Sequence, residues 1–541
     1  MKKMLVLLLV VSMVLGMTAC GSSSKGQAGE AAGKEQTDEL TKAEETEKTQ
    51  EITFPLEEEV TLTVWMPFAN TIIESMEDNE VVGLIREKTG VNLNFIHPPM
   101  GEEETALQLL LASDEWPDII RFDYGPNAAL SYPGGGENGV NEGVLLQLND
   151  LIDQYAPNYK TIRERGGEYE KNSITDNGVI WAMYTVADTE EEPWCGLTYR
   201  KDWADELNIP APVTLDDWHE LLTAFKEQKN ADAPLMIPGD GIMVNNEFLS
   251  AFGVVKDFYQ VDGTVKYGFV EDGMREYVEM MRQWYAEGLI DPDFVSNEVG
   301  HQLPGDYVAE NRVGAGETSW ASSRNGYCVL FKVTDDANLD FAPVKPPVKN
   351  PSDETQYRCT TSVLYNPWAI TTTCEHPEIA VKLLDWMYTQ EGSLVVNYGK
   401  EENYTIKDGQ PWLTDHFLYN EQYDLPTMIS AYTWEMGPGV RDYTKAYQNV
   451  DDFLLGSCKV WAEASAGYVM PSGVELSSDE GSENSAIMAD IDTYVKESIP
   501  KFITGQLSMD DWDGFVKQIK DMNIDRAIEL HQAALDRYNN R

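Results

Sequence analysis

The pattern between residues 60 and 96 constrains the fold more than any other stretch of this chain. Residues 60–65 (VTLTVW) form a β-branched, apolar run that predicts a strand. Residues 81–90 have the spacing of a helix and end at a glycine, and residues 91–96 (VNLNFI) alternate as a second strand. A strand, a helix and a strand in this order form a βαβ unit, which implies a parallel sheet covered by helices.

The same alternation continues along the chain. Residues 104–112 read as a helix and residues 117–120 (PDII) as a short buried strand. Thr214 can cap a helix, because Asp217 follows three residues later and an apolar face begins there. Ser508 and Asp511 repeat this arrangement near the end of the chain. We therefore predict an α/β protein, and a length of 541 residues suggests two lobes.

Tryptophans at helical spacing are expected to pack in the core. This interpretation applies to Trp218, Trp386 and Trp512, which stand among other apolar residues at intervals of three or four. Tryptophans on loops at strand ends are instead candidates for binding.

The N-terminus has the pattern of an export signal. Lys2 and Lys3 precede an apolar run over residues 5–15, which is about half of the ~20 residues that a membrane-spanning helix needs. Residues 17–20 (MTAC) resemble the bacterial lipobox, although Met17 replaces the usual leucine. The resemblance implies a signal peptide over 1–19 and a lipid anchor on Cys20; the alternative is an ordinary secretory signal.

A polar segment follows the predicted anchor. From residue 21 to about residue 53 the chain consists mainly of Ser, Gly, Ala, Glu, Lys, Thr and Gln, without an aromatic residue. Such a composition cannot bury enough apolar surface to offset the entropy of ordering. We predict that residues 20–56 form a disordered acidic tether between the membrane and the folded body.

The charge balance excludes one class of partner. The chain carries 92 acidic and 40 basic side chains, for a net charge of −52. Nucleic-acid binding requires clustered Lys and Arg to neutralise phosphates, so we expect no nucleic-acid partner. Electrostatic attachment to anionic lipid is unfavourable for the same reason.

Cysteine and histidine spacing gives little support for a metal site. The six histidines are scattered, without HxxxH or CxxC patterns, so we expect no metal and no cofactor. Removal of residues 1–19 leaves five cysteines besides Cys20, and an odd number cannot all pair. Cys359 and Cys374 could form a disulfide if they lie on neighbouring strands.

Several segments, in order, resemble family 1 extracellular solute-binding proteins. The likeness spans nearly all of residues 57–541. The segments that carry it are 60–65, 87–91 (EKTGV), 111–120 (LASDEWPDII), 146–152 (LQLNDLI), 176–182 (DNGVIWA) and 199–203 (YRKDW). Residues 285–292 (YAEGLIDP) and 391–399 (EGSLVVNYG) look like the long, LplA-like lipoprotein branch.

This resemblance implies a two-lobed periplasmic-binding-protein-like fold with discontinuous lobes and a hinge. One lobe would hold residues 57–183 and 358–402, and the other residues 184–357 and 403–541. The lobes would close around a small-molecule or oligosaccharide ligand and deliver it to the permease subunits of an ABC importer. The protein would act as a monomer, anchored by its lipid on the extracytoplasmic face of a bacterial membrane.

Sugars stack their C–H faces on aromatic rings and pair their hydroxyls with polar side chains. Loop aromatics at strand ends, with acids and arginines beside them, are therefore the candidate ligand contacts. By position and by resemblance these are Trp65, Phe122, Asp123, Tyr124, Trp181, Trp194, Arg200, Trp320, Trp434, Glu435 and Arg441.

Structural roles are the alternatives at these positions. Trp65 and Trp181 could cap sheet edges, and Asp123 could cap a helix. Arg200 could pair with a structural carboxylate such as Asp202 or Glu206.

Two other functional classes compete with sugar binding. A secreted glycosidase also uses aromatic residues and paired carboxylates, but among 92 acids some pair is inevitable. The chain has no GxSxG nucleophile elbow and no Walker lysine loop, so we predict that it is not an enzyme. The lobed scaffold does not by itself determine the ligand, so a peptide or another nonsugar solute remains the alternative.

Overall fold

The computed structural model describes residues 52–541, apart from 114, 125–127, 189–192, 298–299, 320–326, 329–332, 361 and 449–451. The predicted signal peptide, Cys20, most of the predicted tether and Trp320 therefore lie outside the described residues. Within the described residues, no helix combines the length and the apolar character that crossing a membrane requires.

The described strands fall into two larger sheets and two hairpins. In chain order they are β1 (Val60–Trp65), β2 (Val91–Ile96), β3 (Ile119–Arg121), β4 (Met183–Ala187), β5 (Cys195–Arg200), β6 (Ala233–Leu235), β7 (Phe258–Val261), β8 (Thr264–Tyr267), β9 (Val313–Ser319), β10 (Phe341–Pro343), β11 (Leu364–Ile370), β12 (Tyr404–Lys407), β13 (Gln410–Leu413) and β14 (Gly439–Arg441).

Helices separate most of the strands, as an α/β fold requires. In chain order the described helices are α1 (Glu80–Thr89), α2 (Glu103–Leu111), α3 (Gly136–Asn141), α4 (Asn149–Tyr155), α5 (Pro157–Arg163), α6 (Glu168–Lys171), α7 (Lys201–Leu207), α8 (Leu215–Lys229), α9 (Asp272–Ala286), α10 (Gly305–Ala309), α11 (Pro377–Trp386), α12 (Gln390–Tyr398), α13 (Asp415–Leu418), α14 (Leu425–Tyr432), α15 (Asp452–Ala462), α16 (Ser478–Ile503), α17 (Trp512–Asp521) and α18 (Ile524–Asn539).

The first sheet has six strands in the order β14-β4-β11-β3-β1-β2. β1 pairs in parallel with both β2 and β3, so the predicted βαβ unit is confirmed. β11 returns antiparallel between β3 and β4. Because β1, β2 and β3 are parallel, their carboxyl ends lie at one edge of this sheet.

The second sheet has four strands in the order β10-β5-β9-β6. β9 runs antiparallel to β5 and parallel to β6. The two sheets belong to different hydrophobic cores, one containing Leu62 and Ile120 and the other Leu197 and Phe225. The mixed α/β fold class is therefore confirmed.

Local signals define several helix ends as predicted. At α8 the Thr214 side chain accepts from the backbone N–H of Asp217, and the Asp217 carboxylate accepts from the backbone N–H of Thr214. Gly90 ends α1 with a positive φ of 74°, a conformation that glycine adopts without steric cost. Ser508 differs in detail, because it accepts from Asp510 and caps a short 3-10 turn before α17.

The tryptophans at helical spacing are core residues. Trp218, Trp386 and Trp512 are all buried. Trp218 and Trp512 lie in the core of the second sheet, whereas Trp386 lies in the core of the first. Their predicted packing role is confirmed.

The chain passes from the first sheet to the second after β4 and returns after β10; after β14 it continues into helices, of which α16, α17 and α18 pack in the core of the second sheet. The last of these passages differs from the predicted lobe boundaries, which assign residues 403–541 to the second lobe. β14 pairs with β4 in the first sheet, with Gly439 opposite Thr185. The predicted division after residue 402 therefore does not coincide with the strand pairing, because local patterns carry no information on which sheet a late strand joins.

Candidate binding site

The candidate site lies at the carboxyl edge of the first sheet. In open α/β sheets, ligands bind in the crevice outside the carboxyl ends of parallel strands. Two cavities of about 220 and 460 Å³ lie at this edge, and Pro67 and Arg121 line both of them. Pro67 follows the end of β1, and Arg121 is the last residue of β3.

Arg121 organises the polar part of the site. Its Nη2 donates to the Asn366 side-chain oxygen at 2.7 Å and lies 2.8 Å from an Asp123 carboxylate oxygen. Burial lowers the pKa of the Arg121 guanidinium, an effect that Asp123 opposes. The side chain of Asp123 is 33% exposed, so it can still reach a ligand. Asp123 pairs with an arginine and is not a helix cap.

Asn366 reaches this site from β11, which runs antiparallel to β3. Its side-chain amide donates to the backbone oxygen of Met436 at 3.0 Å, so Asn366 joins the strand to the loop before β14. The strand pairing is irregular between Tyr365 and Pro367, at the position of this asparagine. An Asn-Pro pair inside an apolar strand is the sequence signal that could have indicated this irregularity. Neither Asn366 nor Arg121 was predicted from the sequence to be a site residue.

Trp434 forms the aromatic wall of the smaller cavity. It is 3% exposed and makes edge-to-face contacts with Trp368 and Phe95, with ring centroids 5.4 and 5.6 Å apart. Within the described part of the chain its indole Nε1 has no hydrogen-bond partner. This N–H is buried, so the contact that Trp434 can offer a ligand comes from the part of the residue that lines the cavity.

Glu435 and Arg441 lie together beside this wall. Arg441 Nε donates to Glu435 Oε1 at 3.2 Å, and Lys445 Nζ lies 2.7 Å from Glu435 Oε2. Burial alone would raise the pKa of Glu435, but Lys445 and Arg441 hold it below its ordinary value. The carboxylate is therefore charged and already paired with two cations.

Phe122, Trp181 and Tyr124 form an aromatic cluster behind the edge. Phe122 contacts Trp181 edge to face at 5.9 Å, and both Trp181 and Tyr124 make edge-to-face contacts with Tyr184. Phe122 and Trp181 are buried in the core of the first sheet. Burial raises the pKa of Tyr124 well above its ordinary value. Phe122 directly follows Arg121, so this aromatic cluster packs next to the strand end that carries the site.

The remaining candidates lie elsewhere. Trp65 is buried in the core of the first sheet, and the residue that reaches the smaller cavity is the following Met66. Trp194 precedes β5 of the second sheet, is 37% exposed and contacts the His301 ring at 4.6 Å. Trp320 lies outside the described residues.

Arg200 has the structural role that the sequence offered as an alternative. It is 1% exposed, and its guanidinium donates to the Asp202 carboxylate at 2.8 and 2.6 Å. A further bond of 2.9 Å reaches the Asn311 side chain, and the guanidinium lies 4.1 Å from the Trp203 ring centroid. Each of its three guanidinium nitrogens donates to a side chain beside the second sheet.

The Cys359–Cys374 disulfide, which the sequence left open, is not formed. Cys359 Sγ instead lies 3.4 Å from Cys195 Sγ, and Cys374 is buried in the core of the first sheet. The proximity of these two sulfurs could not be predicted from the sequence, because 164 residues separate Cys195 from Cys359.

Comparison with known proteins identifies a family. The family model described as bacterial extracellular solute-binding protein matches residues 79–393. The chain is 23% identical over 514 residues to the fructooligosaccharide ABC transporter substrate-binding protein FusA of Streptococcus pneumoniae serotype 4, covering 87% of this chain and 89% of FusA. It is 24% identical over 340 residues to the lipoprotein LipO of Bacillus subtilis, covering 60% of this chain and 64% of LipO.

A solved structure shows the same fold. The HMO-binding, ABC-transporter-associated solute-binding protein of Bifidobacterium longum infantis superposes with a TM-score of 0.71 at 15% identity. The match covers 89% of this chain and 99% of that structure. At this identity the likeness concerns the fold alone.

Proposed function

Because this chain belongs to the bacterial extracellular solute-binding protein family, we propose that it is a lipid-anchored receptor that captures an oligosaccharide for an ABC importer. The family assignment makes the chain a binding component and not an enzyme. The ligand class, the anchor and the delivery to permease subunits are the parts of this proposal that go beyond the family.

The observation that carries the sugar proposal is the composition of the carboxyl edge. Trp434 lines the smaller cavity with an aromatic side chain, while Arg121, Asp123 and Asn366 supply charged and amide groups within one connected network. Aromatic rings suit the C–H faces of sugars, and acids, amides and arginine suit their hydroxyls. Two adjoining cavities suit a ligand longer than one sugar ring.

Relatives support the same ligand class. FusA is named for fructooligosaccharides, and the structure from Bifidobacterium longum infantis is of an HMO-binding protein. The chain covers 89% of FusA and 99% of that structure, so the comparison includes almost their full lengths.

Capture would involve both lobes. The carboxyl edge of the first sheet supplies one set of contacts, and Trp194 and Trp320, beside β5 and after β9, would supply the opposing set. Contacts to both lobes exist together only in a closed form, so a ligand would shift a pre-existing equilibrium towards closure.

Calorimetry with the purified full chain tests the ligand class. We expect saturable binding of at least one oligosaccharide from a panel that includes fructooligosaccharides and milk oligosaccharides, without hydrolysis. Asp123→Asn should weaken that binding about 5- to 10-fold, because it removes the charge that faces the cavity. The matched control is Asp513→Asn, an acid that is 91% exposed and lies far from the first sheet's edge in α17. Binding of peptides but no sugar would overturn the proposal.

The anchor needs a separate experiment. Thioether formation requires the thiol of Cys20, so Cys20→Ala should abolish incorporation of a fatty-acid analogue in cells. Cys374→Ser, which leaves Cys20 intact, should be labelled like the unmodified chain. Undiminished labelling of Cys20→Ala would exclude the lipid anchor.

A further inference from the structure

A cluster of thiols, an imidazole and carboxylates lies beside β5 and β9, apart from the candidate sugar site. The donor atoms of Cys195, His301 and Glu317 all lie within 4.8 Å of one another. Cys359 Sγ lies 3.4 Å from Cys195 Sγ. Cys195 and Glu317 are buried, and His301 and Cys359 are partly buried.

We propose that Cys195, His301, Glu317 and Cys359 form a binding site for one zinc-like divalent cation. Zn²⁺ prefers four ligands drawn from thiolate, imidazole and carboxylate, and this set contains all three types. Two sulfurs held tetrahedrally at ~2.3 Å from a zinc ion are about 3.8 Å apart. The observed 3.4 Å between these two sulfurs differs from that value by only a few tenths of an ångström, and Cys359 would have to approach the group formed by the other three ligands.

Asn245 and Trp194 contact the proposed ligands, as residues around the ligands of a metal site commonly do. Asn245 donates through its side chain to Glu317 at 2.8 Å and to Cys195 Sγ at 3.3 Å, and through its backbone N–H to Glu317 at 3.2 Å. The Trp194 ring packs edge to face on the His301 imidazole at 4.6 Å. Such contacts orient the ligands and disperse the negative charge of a thiolate.

A second buried carboxyl group, that of Glu247, lies beside the cluster. Glu247 is 2% exposed, and neither of its carboxylate oxygens has a hydrogen-bond partner in the described part of the chain. Its electrostatic neighbours include Glu317 and Cys359. Two facing buried carboxylates repel unless a proton or a cation lies between them. His301 contacts the Glu317 carboxylate, and a divalent cation among the four ligands would compensate this negative charge.

The location gives the site a consequence for the fold. Cys195 begins β5, directly after the passage from β4 of the first sheet. Cys359 lies on the passage from β10 to β11, which returns to the first sheet. A metal ion would therefore join two of the segments that connect the sheets, where a hinge motion would have to occur.

Cobalt binding to the reduced full chain tests the site. The protein, kept in detergent, is treated with a phosphine reductant and a chelator and then titrated with Co²⁺. We expect one Co²⁺ per chain with a thiolate-to-cobalt charge-transfer absorption, which Zn²⁺ should remove. Cys195→Ser and His301→Ala should each weaken binding at least 10-fold, and circular dichroism should show that both variants remain folded.

Cys374→Ser is the matched control, because it removes a buried thiol outside the cluster; it should keep the absorption. Absence of the band in the folded, reduced chain would overturn the proposal, as would an unchanged band in His301→Ala. The proposal would also be overturned if the isolated protein contained a Cys195–Cys359 disulfide and did not bind Co²⁺ after that disulfide was reduced. None of these readouts depends on sugar binding, so they are independent of the proposed function.

Discussion

Arg121 at the end of β3 donates to Asn366 in β11 at 2.7 Å, although 245 residues separate the two in the chain. The bond joins the last residue of a parallel strand to the antiparallel strand that returns beside it. It also determines the direction in which the guanidinium approaches Asp123. The polar face of the candidate site thus depends on a contact between two strands that are distant in sequence.

Asn366→Ala should therefore weaken oligosaccharide binding. The substitution removes the acceptor for Arg121 and the donor to Met436, so the guanidinium can turn towards Asp123. Loss of one such hydrogen bond corresponds to about 1 to 1.5 kcal/mol, or roughly 5- to 10-fold in Kd by calorimetry. Gln147→Ala, in an exposed loop, is the control and should bind like the unmodified protein. Equal affinities for the two variants would contradict this role.

Gly136 should not tolerate a side chain. A Cβ at this position would lie 2.0 Å from the Trp181 ring, so Gly136→Ala must displace the aromatic cluster behind the site. We expect a loss of about 1 to 3 kcal/mol in the free energy of unfolding, measured with urea. Gly83→Ala, inside α1 with open space around it, should instead stabilise by about 0.5 to 1 kcal/mol. A stable Gly136→Ala variant would argue against the observed packing of Trp181.

His531 should make the folded state sensitive to acid. Burial lowers its pKa from 6.5 to about 4, and its ring stacks on Phe258 with centroids 3.8 Å apart. Since the unfolded chain binds the proton more readily, His531 contributes stability above pH ~6.5 that is lost as the pH falls towards 4.

His531→Gln should therefore flatten the dependence of the unfolding free energy on pH between about 6.5 and 4. His416→Gln is the matched control, because it removes a histidine in α13 that contacts Phe417 and Tyr432 and not Phe258; its profile should follow that of the unmodified chain. An unchanged slope for His531→Gln would show that the ring is not held neutral.

The reciprocal cap of α8, formed by Thr214 and Asp217, predicts a second dependence of stability on pH, in a more acidic range. Hydrogen bonds from Thr214 and Val213 lower the pKa of Asp217. A carboxyl group whose pKa is lowered by folding stabilises above its unfolded pKa, and this contribution is lost as the pH falls through the folded value. Asp217→Ala should cost about 1 kcal/mol at neutral pH and less in acid, by urea unfolding, because it removes the carboxylate that accepts from the backbone N–H of Thr214. Equal losses at both pH values would contradict the reciprocal cap.

Ligand-induced closure can be measured by small-angle scattering. If an oligosaccharide contacts both lobes, saturating ligand should reduce the radius of gyration of the full chain. A sugar that does not bind in calorimetry provides the control and should leave the radius unchanged. An unchanged radius with a saturating, bound ligand would contradict closure.

The sequence by itself determined the local structure. Each strand and the helix of the βαβ unit, the Thr214 cap and the glycine that ends α1 are indicated by residues within a few positions of each other. Periodicity also identified Trp218 and Trp512 as core residues, because a helix places every third or fourth side chain on one face. Ordered segments along the chain were sufficient to identify the family.

Only the tertiary structure decided which distant groups meet. Sequence placed Arg200 among the ligand contacts, whereas the fold encloses it with Asp202 and Asn311. It offered Cys374 as a partner for Cys359, whereas β5 brings Cys195 to within 3.4 Å. The physical reason is that strand order and sheet membership arise from packing between elements far apart in the chain. Periodicity records which face of an element is buried but not which element covers it.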